Sequence, residues 1–430
     1  MDVVSLSQPI RIGSKIAPNR IVYHPLECND GDEQGNPTEL TLERYRKFAE
    51  GAPGLIFVEA CYVTWESRGR TRGLGVEPRN LEGVRRLVQT IRSVNPEVLI
   101  LFQISHDGRR SGRFSRVVSV YPTDDPAIHL LSTAELVAIE DRFAEAAWVV
   151  EQAGGDGIDF KSCNGYLGCE ILRPANTRPD GYGGSFENRT RFFRETLDKI
   201  KARVSPAFIL GARISREYVP GGVGTAGPGS EEEDLTEFLA FARLMEQQGM
   251  HYVSVHVSYP FYFAKQWVQM PAHVNPTDVF VHFRLTRAIK EAVGIPVMGA
   301  GYSYLREGKN RLPGKDRGAK SFLYWAEKNL REGAADMVGI GRQALADPHF
   351  ARKILEGQGD EIQYCAACQN CFRLVVNQEP AGCTSFDPRY RALFRRLQKR
   401  LKTQAGESAA VPTPGPGVAS GPGGRPVAAG

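Results

Sequence analysis

No run of about eighteen apolar residues occurs in this 430-residue chain, so no membrane-spanning helix is expected. The opening MDVVSLSQPIRIG has neither a basic start nor an apolar stretch, which excludes a secretory leader as an expectation. Without one, the eight cysteines point to a reducing cytoplasm and to metal-bound or free thiols. No G-x-G-x-x-G opens an early helix after a strand, which argues against a doubly wound dinucleotide fold. Charge of one sign is also missing from most of the chain. The net charge is +5, but Arg389, Arg391, Arg395, Arg396, Lys399, Arg400 and Lys402 place seven cations in one segment, leaving the rest near −2. The body is therefore not a nucleic-acid surface. Hydrophobic content of 42% and charged content of 24% are ordinary for a soluble globular protein.

What is present is concentrated near the end. Four of the cysteines, Cys365, Cys368, Cys371 and Cys383, fall in a C-x2-C-x2-C-x11-C pattern. Three thiolates from one tight loop and a fourth from outside it suit a [4Fe–4S] cubane. Structural zinc, which usually takes two separated C-x2-C pairs, is the second choice, and a disulfide frame the third. An iron–sulfur centre implies electron transfer. Just beyond, Leu393, Phe394, Leu397 and Leu401 recur at helical spacing inside the basic segment, so an amphipathic helix packed on the body is expected. Its basic face is either simply solvated or a docking surface for an acidic carrier such as ferredoxin or flavodoxin. From Gly406 the sequence collapses to mainly Gly, Pro, Ala and Val and is expected to be disordered.

Through the rest of the chain short apolar runs alternate with helical patterns. Strands are expected at 21–27, 55–63, 99–106, 157–162, 208–215, 252–257, 295–301 and 335–342. Eight strands with helices between them, the later ones almost continuously apolar, indicate a TIM (β/α)8 barrel, an α/β fold; a doubly wound sheet is the alternative. The expected organisation is a barrel over 1–360, a cluster loop and basic helix over 361–405, and a tail over 406–430.

In such a barrel chemistry sits where strands end. The last two strands end in GAG (299–301) and GIGR (339–342), where glycines let backbone N–H groups approach a phosphate and Arg342 adds a charge-assisted contact. Gln103 and Arg213 are read as pointing to the mouth, where an amide and a cation suit the pyrimidine edge of a flavin. The plainer alternatives are a buried amide on backbone and an arginine in a structural ion pair.

The stretch GYLGCEILRPANTRPDGYGGSFENRTRFF (165–193) closely resembles the signature of the old yellow enzyme family of FMN-dependent oxidoreductases. NRIVYHPLE, FQISHDGRRSG, GARIS and VGIGRQALADP extend the resemblance over roughly residues 8 to 390. The cysteines after the barrel resemble the iron–sulfur subgroup that contains 2,4-dienoyl-CoA reductase and trimethylamine dehydrogenase. The resemblance implies that Pro25, Leu26 and Ala60 flank the FMN ring, that Gln103 and Arg213 hold its pyrimidine side, and that Gly301, Gly341 and Arg342 bind its phosphate. It implies Tyr166 as proton donor, and NAD(P)H, a ferredoxin, a flavodoxin or a separate reductase as source of electrons. A homo-oligomer is expected.

Two positions depart from the family pattern. The usual substrate-binding His and His or Asn are replaced by Lys161 and Asn164, and Lys161 is expected to hydrogen-bond a carbonyl or a carboxylate, with its pKa lowered by burial. Glu27 stands where Thr or Cys is common, and its charge is expected to lower the flavin potential. The expected function is reduction of an activated C=C bond in an enoate or enoyl thioester. Oxidation of an N-methylated amine and an electron relay without turnover are the alternatives.

Overall fold

The apolar runs of the sequence become eight strands, all parallel, in a closed barrel. They are β1 Ile21–Tyr23, β2 Leu55–Tyr62, β3 Leu99–Ser105, β4 Gly157–Ser162, β5 Ile209–Glu217, β6 Tyr252–Ser258, β7 Val297–Gly299 and β8 Met337–Ile340. This computed structural model describes residues 3–112, 114–258, 276–310 and 320–409. Helices follow the strands: α1 Glu39–Glu50, α2 Leu81–Arg92, α3 Thr133–Gln152, α4 Arg191–Lys201, α5 Thr236–Gln247, α6 Pro276–Ala292 and α7 Phe322–Arg331, then the short α8 Arg342–Ala346 and α9 Phe350–Leu355. Their sequences explain them. In α2, Val84, Leu87, Val88 and Ile91 are buried at i, i+3, i+4 and i+7. α3 starts at a capping box in which Ser132 and Glu135 each bond the other's backbone N–H.

Strand parity decides what reaches the mouth. Leu99 and Leu101 of β3 join the apolar core inside the barrel, while Ile100 and Phe102 pack outward against helices. The alternation turns Gln103 inward, and by the same rule Asp159, Lys161 and Arg213. Register places Gln103 beside Asp159, and Lys161 beside Arg213. Gly211 leaves the space that the Tyr252 ring fills, and that ring's hydroxyl donates to Asp159 Oδ1 at 3.0 Å. An antiparallel hairpin, Ile10–Ile12 with Lys15–Ala17, adds Ile12 and Ala17 to the interior apolar core.

The expected strand 21–27 stops at Tyr23. His24 N–H makes the last rung, to Ile340 O at 2.8 Å, and Pro25 has no N–H with which to continue. The strands expected at 295–301 and 335–342 are likewise shorter, because both end in glycines that turn away. After the barrel come α10 Asn370–Val376 and α11 Pro388–Ala409. Tyr390, Phe394 and Leu397 of α11 pack with Leu374, Val375 and Cys28 in a separate apolar cluster. α11 runs past Gly406, where the tail was expected to begin; residues 410–430 and the aromatic run Tyr259, Phe261, Tyr262 and Phe263 lie outside the described residues. Among the described residues no helix is long and apolar enough to cross a membrane.

The barrel's outer face is locked by aromatics. Phe160 stacks on Phe143 at 4.6 Å between ring centroids and meets Phe192 and Phe193 edge-on. Phe160→Ala should therefore cost about 3–5 kcal/mol of stability, read as a lower denaturation midpoint. A variant within error of the parent would contradict this packing.

Candidate active site

A cavity of about 300 Å³ opens at the C-terminal mouth of the barrel. Of the positions expected there, Pro25, Leu26, Glu27, Gln103, Lys161, Asn164, Tyr166, Arg213, Gly301, Gly341 and Arg342 all line it. Ala60 does not: it sits half-buried on β2, short of the wall.

The centre of the wall is Glu27. Its Oε1 accepts from Lys161 Nζ and from the Tyr166 hydroxyl, each at 2.7 Å. Its Oε2 lies 3.0 Å from Arg70 Nε. Burial alone would push the carboxyl up, but Lys161 and Arg70, with the two direct bonds, hold it down at about 2. The same pairing reverses the expectation for Lys161. Burial pulls its pKa down, yet the carboxylate of Glu27 outweighs burial and the ammonium stays charged, above its ordinary range. Burial and the neighbouring Glu27 also keep the Tyr166 phenol protonated. The ammonium lies 3.2 Å from the Tyr166 ring centroid, a cation–π contact that fixes both side chains. Asp107 also acts on this group: burial and Glu27 raise its carboxyl to about 6, against Lys161 and Arg70. Two carboxylates thus share two cations, and the lowering of flavin potential expected from Glu27 is not the effect of a lone charge.

Deeper in the mouth, Arg213 is 7% exposed and makes no ion pair or hydrogen bond among the described residues. Gln103 Nε2 donates to Asp159 Oδ2 at 2.6 Å, which orients the amide. Burial raises Asp159 to about 6, against Gln103 and Arg213. His24 Nε2 lies 3.1 Å from Gly299 O; a carbonyl only accepts, so Nε2 carries the proton. Burial and Arg213 keep this imidazole neutral, and its Nδ1, buried and unpartnered, is left as an acceptor. His256 Nδ1 is buried and unpartnered in the same way. Near the last strands, Gly301 adopts φ +95°, where a Cβ would also press on His282. Gly341 N–H is taken by Ser303 Oγ at 2.8 Å, so Ser303 belongs to this edge together with Arg342. Cys163 also lines the cavity, but burial raises its thiol to about 11 and leaves it a poor nucleophile.

A second, small cavity adjoins the first. It is lined by Arg342, Leu345, Ser385 and all four clustered cysteines. Cys371, Arg342 and Leu345 belong to both walls. Ala367 and Gln369, between the first three cysteines, hold φ of +49° and +65°, strain of about 1–3 kcal/mol each that turns the loop onto the cavity. Among the described residues no group of His, Cys, Asp or Glu is arranged to hold a single metal ion.

Arg70, His282 and Ser303 escaped sequence reading. Arg70 lies in the irregular loop SRGRTRG, where no period orients a side chain.

A parallel barrel with a glycine-edged, cationic cavity at its C-terminal mouth is the architecture of a TIM-barrel oxidoreductase. The chain belongs to the NADH:flavin oxidoreductase / NADH oxidase family, whose model matches residues 5–306. That match ends before the clustered cysteines. The chain is 30% identical over 373 residues to an NADH oxidase of Thermoanaerobacter brockii, covering 83% of this chain and 52% of the relative. It is 28% identical to an NADPH dehydrogenase of Bacillus subtilis, over 83% of this chain and 96% of the relative. Against the first of these, and against a metal reductase of Desulforamulus reducens, it spans about half the relative's length. Among solved structures, a 2-naphthoyl-CoA reductase complex superposes with TM-score 0.76 at 24% identity, over 91% of this chain and 58% of that one. Histamine dehydrogenase from Rhizobium sp. 4-9 gives 0.69 at 24%, over 88% and 52%. These two likenesses speak to fold alone.

Behind Glu27 lies a buried network. Arg44 bonds both oxygens of Asp30, at 2.8 and 2.9 Å, and reaches Glu59 Oε1 at 3.4 Å. One cation serves two carboxylates, so burial, with Asp30 adding to it against Arg44, raises Glu59 to about 8. A carboxyl raised above its unfolded value binds protons more tightly in the folded state. The stability it confers is complete below about pH 4 and is lost as pH rises towards its folded value of about 8. Glu59→Gln should flatten the fall in thermal midpoint between about pH 6 and pH 8. A fall as steep as the parent's would place the proton elsewhere.

Proposed function

We propose that this chain is an FMN- and [4Fe–4S]-dependent reductase of activated C=C bonds, with an enoate or an enoyl thioester as substrate. The observation that carries the reading is the shared carboxylate oxygen. Tyr166 and Lys161 both donate to Glu27 Oε1 at 2.7 Å, which fixes a protonated phenol beside the Lys161 ammonium.

The residues of the cavity fit FMN. Arg213, a buried cation with no ion pair or hydrogen bond among the described residues, calls for an electron-rich partner, and the pyrimidine edge of a flavin is one. Gln103, with its Nε2 tied to Asp159, presents its carbonyl oxygen. Gly301, Ser303 and Arg342 supply an edge suited to a phosphate, flanked by Pro25 and Leu26. Gly341 contributes small size, its own N–H being occupied. When bound there, FMN supplies a hydride from N5 to the β-carbon of the substrate.

The chain's own residues handle the proton and the charge. Tyr166 gives its hydroxyl proton to the α-carbon, and the Lys161 ammonium, in contact with the ring, stabilises the phenolate left behind. Glu27 holds Tyr166 in one rotamer beforehand and offers a carboxylate through which Lys161 or water returns the proton. Arg70 keeps Glu27 ionised. Asn164 stands at φ +60° with no side-chain hydrogen bond among the described residues; its amide is free to donate to the activating carbonyl. Because Lys161 is already paired, it acts on the carbonyl through its charge.

Cys365, Cys368, Cys371 and Cys383 would hold the cluster, which moves electrons one at a time. The cavity they share, the strained loop between them and the wall common to the flavin site support this. Three thiols from one loop and a fourth from outside it, all on one cavity, suit a cubane. Oxidation of an amine fits less well. Four cations, Arg70, Lys161, Arg213 and Arg342, face one carboxylate in the cavity wall, and they repel a cationic substrate. NAD(P)H acting directly or a carrier protein would provide the electrons, in a homo-oligomer located in the cytoplasm.

Anaerobically purified protein should contain riboflavin phosphate, iron and inorganic sulfide. Cys383→Ala should lose sulfide and keep the flavin; full sulfide content in that variant would remove Cys383 from the cluster. Tyr166→Phe should lower turnover of enoates or enoyl thioesters by about 10²–10⁴-fold while dithionite still bleaches the flavin at the parental rate. Parental turnover in Tyr166→Phe would end the proton-donor assignment.

A further inference from the structure

We infer that the exposed face of α11 is the docking surface for a small acidic one-electron carrier protein. The inference rests on the cluster reading above. Arg391, Arg395, Lys399 and Lys402 recur at steps of four, four and three, so they form one stripe along the exposed side of the helix. The opposite side, Tyr390, Phe394 and Leu397, is buried against the body. Arg389 and Arg400 pair with Glu43 and Glu379, each at 2.7 Å. Arg395, Lys399 and Lys402 make no ion pair among the described residues, and no acidic side chain lies between Pro388 and Lys402 to offset them.

Like charges four apart, as in Arg391 with Arg395 and Arg395 with Lys399, destabilise a helix. A helix that only had to cover the body would gain from a glutamate at any of these exposed positions. An acidic partner offsets the cost on binding.

The stripe also leads to the right place. Arg391 donates from Nε to Thr384 O at 3.0 Å and from Nη2 to Ser385 O. Thr384 and Ser385 line the small cavity together with the four cysteines, and Cys368 is exposed there. Phe386, one of the eight exposed large apolar side chains among the described residues, directly follows Ser385 and offers an apolar anchor there. Beside Phe386 a groove lined by Phe48, Pro348, Tyr390 and Cys383 gives the interface depth. Each docking oxidises the carrier by one electron and reduces the cluster by one. Two dockings supply the pair that reduction of one C=C bond consumes, and water supplies the protons.

An acidic flavodoxin serves as probe against the full-length holoprotein. Its affinity for the parent should fall at least tenfold as ionic strength rises from about 0.01 M to about 0.1 M and the Debye length shrinks from about 30 Å to about 10 Å. R395E/K399E/K402E should weaken binding at low salt at least tenfold and slow cluster reduction by reduced flavodoxin by about as much. Reduction by dithionite and the sulfide content should be unchanged, and the thermal midpoint should be no lower than the parent's. If charge reversal disturbs folding, R395Q/K399Q/K402Q provides the same comparison with a smaller effect. Parental affinity and rate in a folded variant that keeps its sulfide would overturn the docking surface alone. A parent chain without sulfide would overturn the cluster, and this inference with it.

Discussion

A single carboxylate organises the mouth of this barrel. Glu27 is drawn out of water by its position, and an isolated buried carboxylate costs several kcal/mol. Lys161 and Arg70 offset that cost, and Tyr166 completes the set of donors. None of the four is stable there alone: without Glu27 the ammonium and the guanidinium repel each other, and without either cation the carboxylate takes up a proton. The geometry of the phenol is thus a by-product of neutralising charge. This also explains how a lysine occupies a position where the family pattern has an imidazole. It stands with its counterion, and the pair keeps a fixed charge where imidazole would titrate.

The barrel beneath converts strand parity into a vertical sorting of polarity. Leu99, Leu101, Phe57 and Met298 fill the lower interior. One step higher, Gln103 and Asp159 are bonded to each other, and the cations Arg213 and Lys161 stand higher again, side by side in the register. Each layer is dry enough to strengthen electrostatics in the one above. Tyr252 links the layers by anchoring Asp159 from below through the space that Gly211 leaves open.

Much of this could be read from residues alone. The eight strands were legible because buried parallel strands are runs of apolar residues, and the inward direction of Gln103 and Arg213 followed from their parity with apolar neighbours. The cysteine spacing and the glycine-rich ends of β7 and β8 were equally plain. What stayed hidden depended on contacts between distant segments. Arg70 reaches Glu27 from a loop without periodicity, and no local pattern foretold it. The pKa of Lys161 was expected to fall because burial was the only influence visible in sequence; its partner lies 134 positions away. Ala60 was placed against the ring by resemblance; half-buried on β2, it is not among the residues that line the cavity. The end of β1 was set too far along because Pro25 was read for its role in the site and not for its missing N–H.

Cys371 stands in the partition between the two cavities, with Arg342 and Leu345 on either side of it. A shared wall is a route for coupling, since a side chain that one occupant shifts also faces the other space. Thermodynamic reciprocity then applies: if an occupant of the small chamber tightens the grip of the large one, the large chamber's occupant tightens the small one by the same factor. A factor above one would make the two fillings cooperative; a factor of one would leave each chamber to fill by itself.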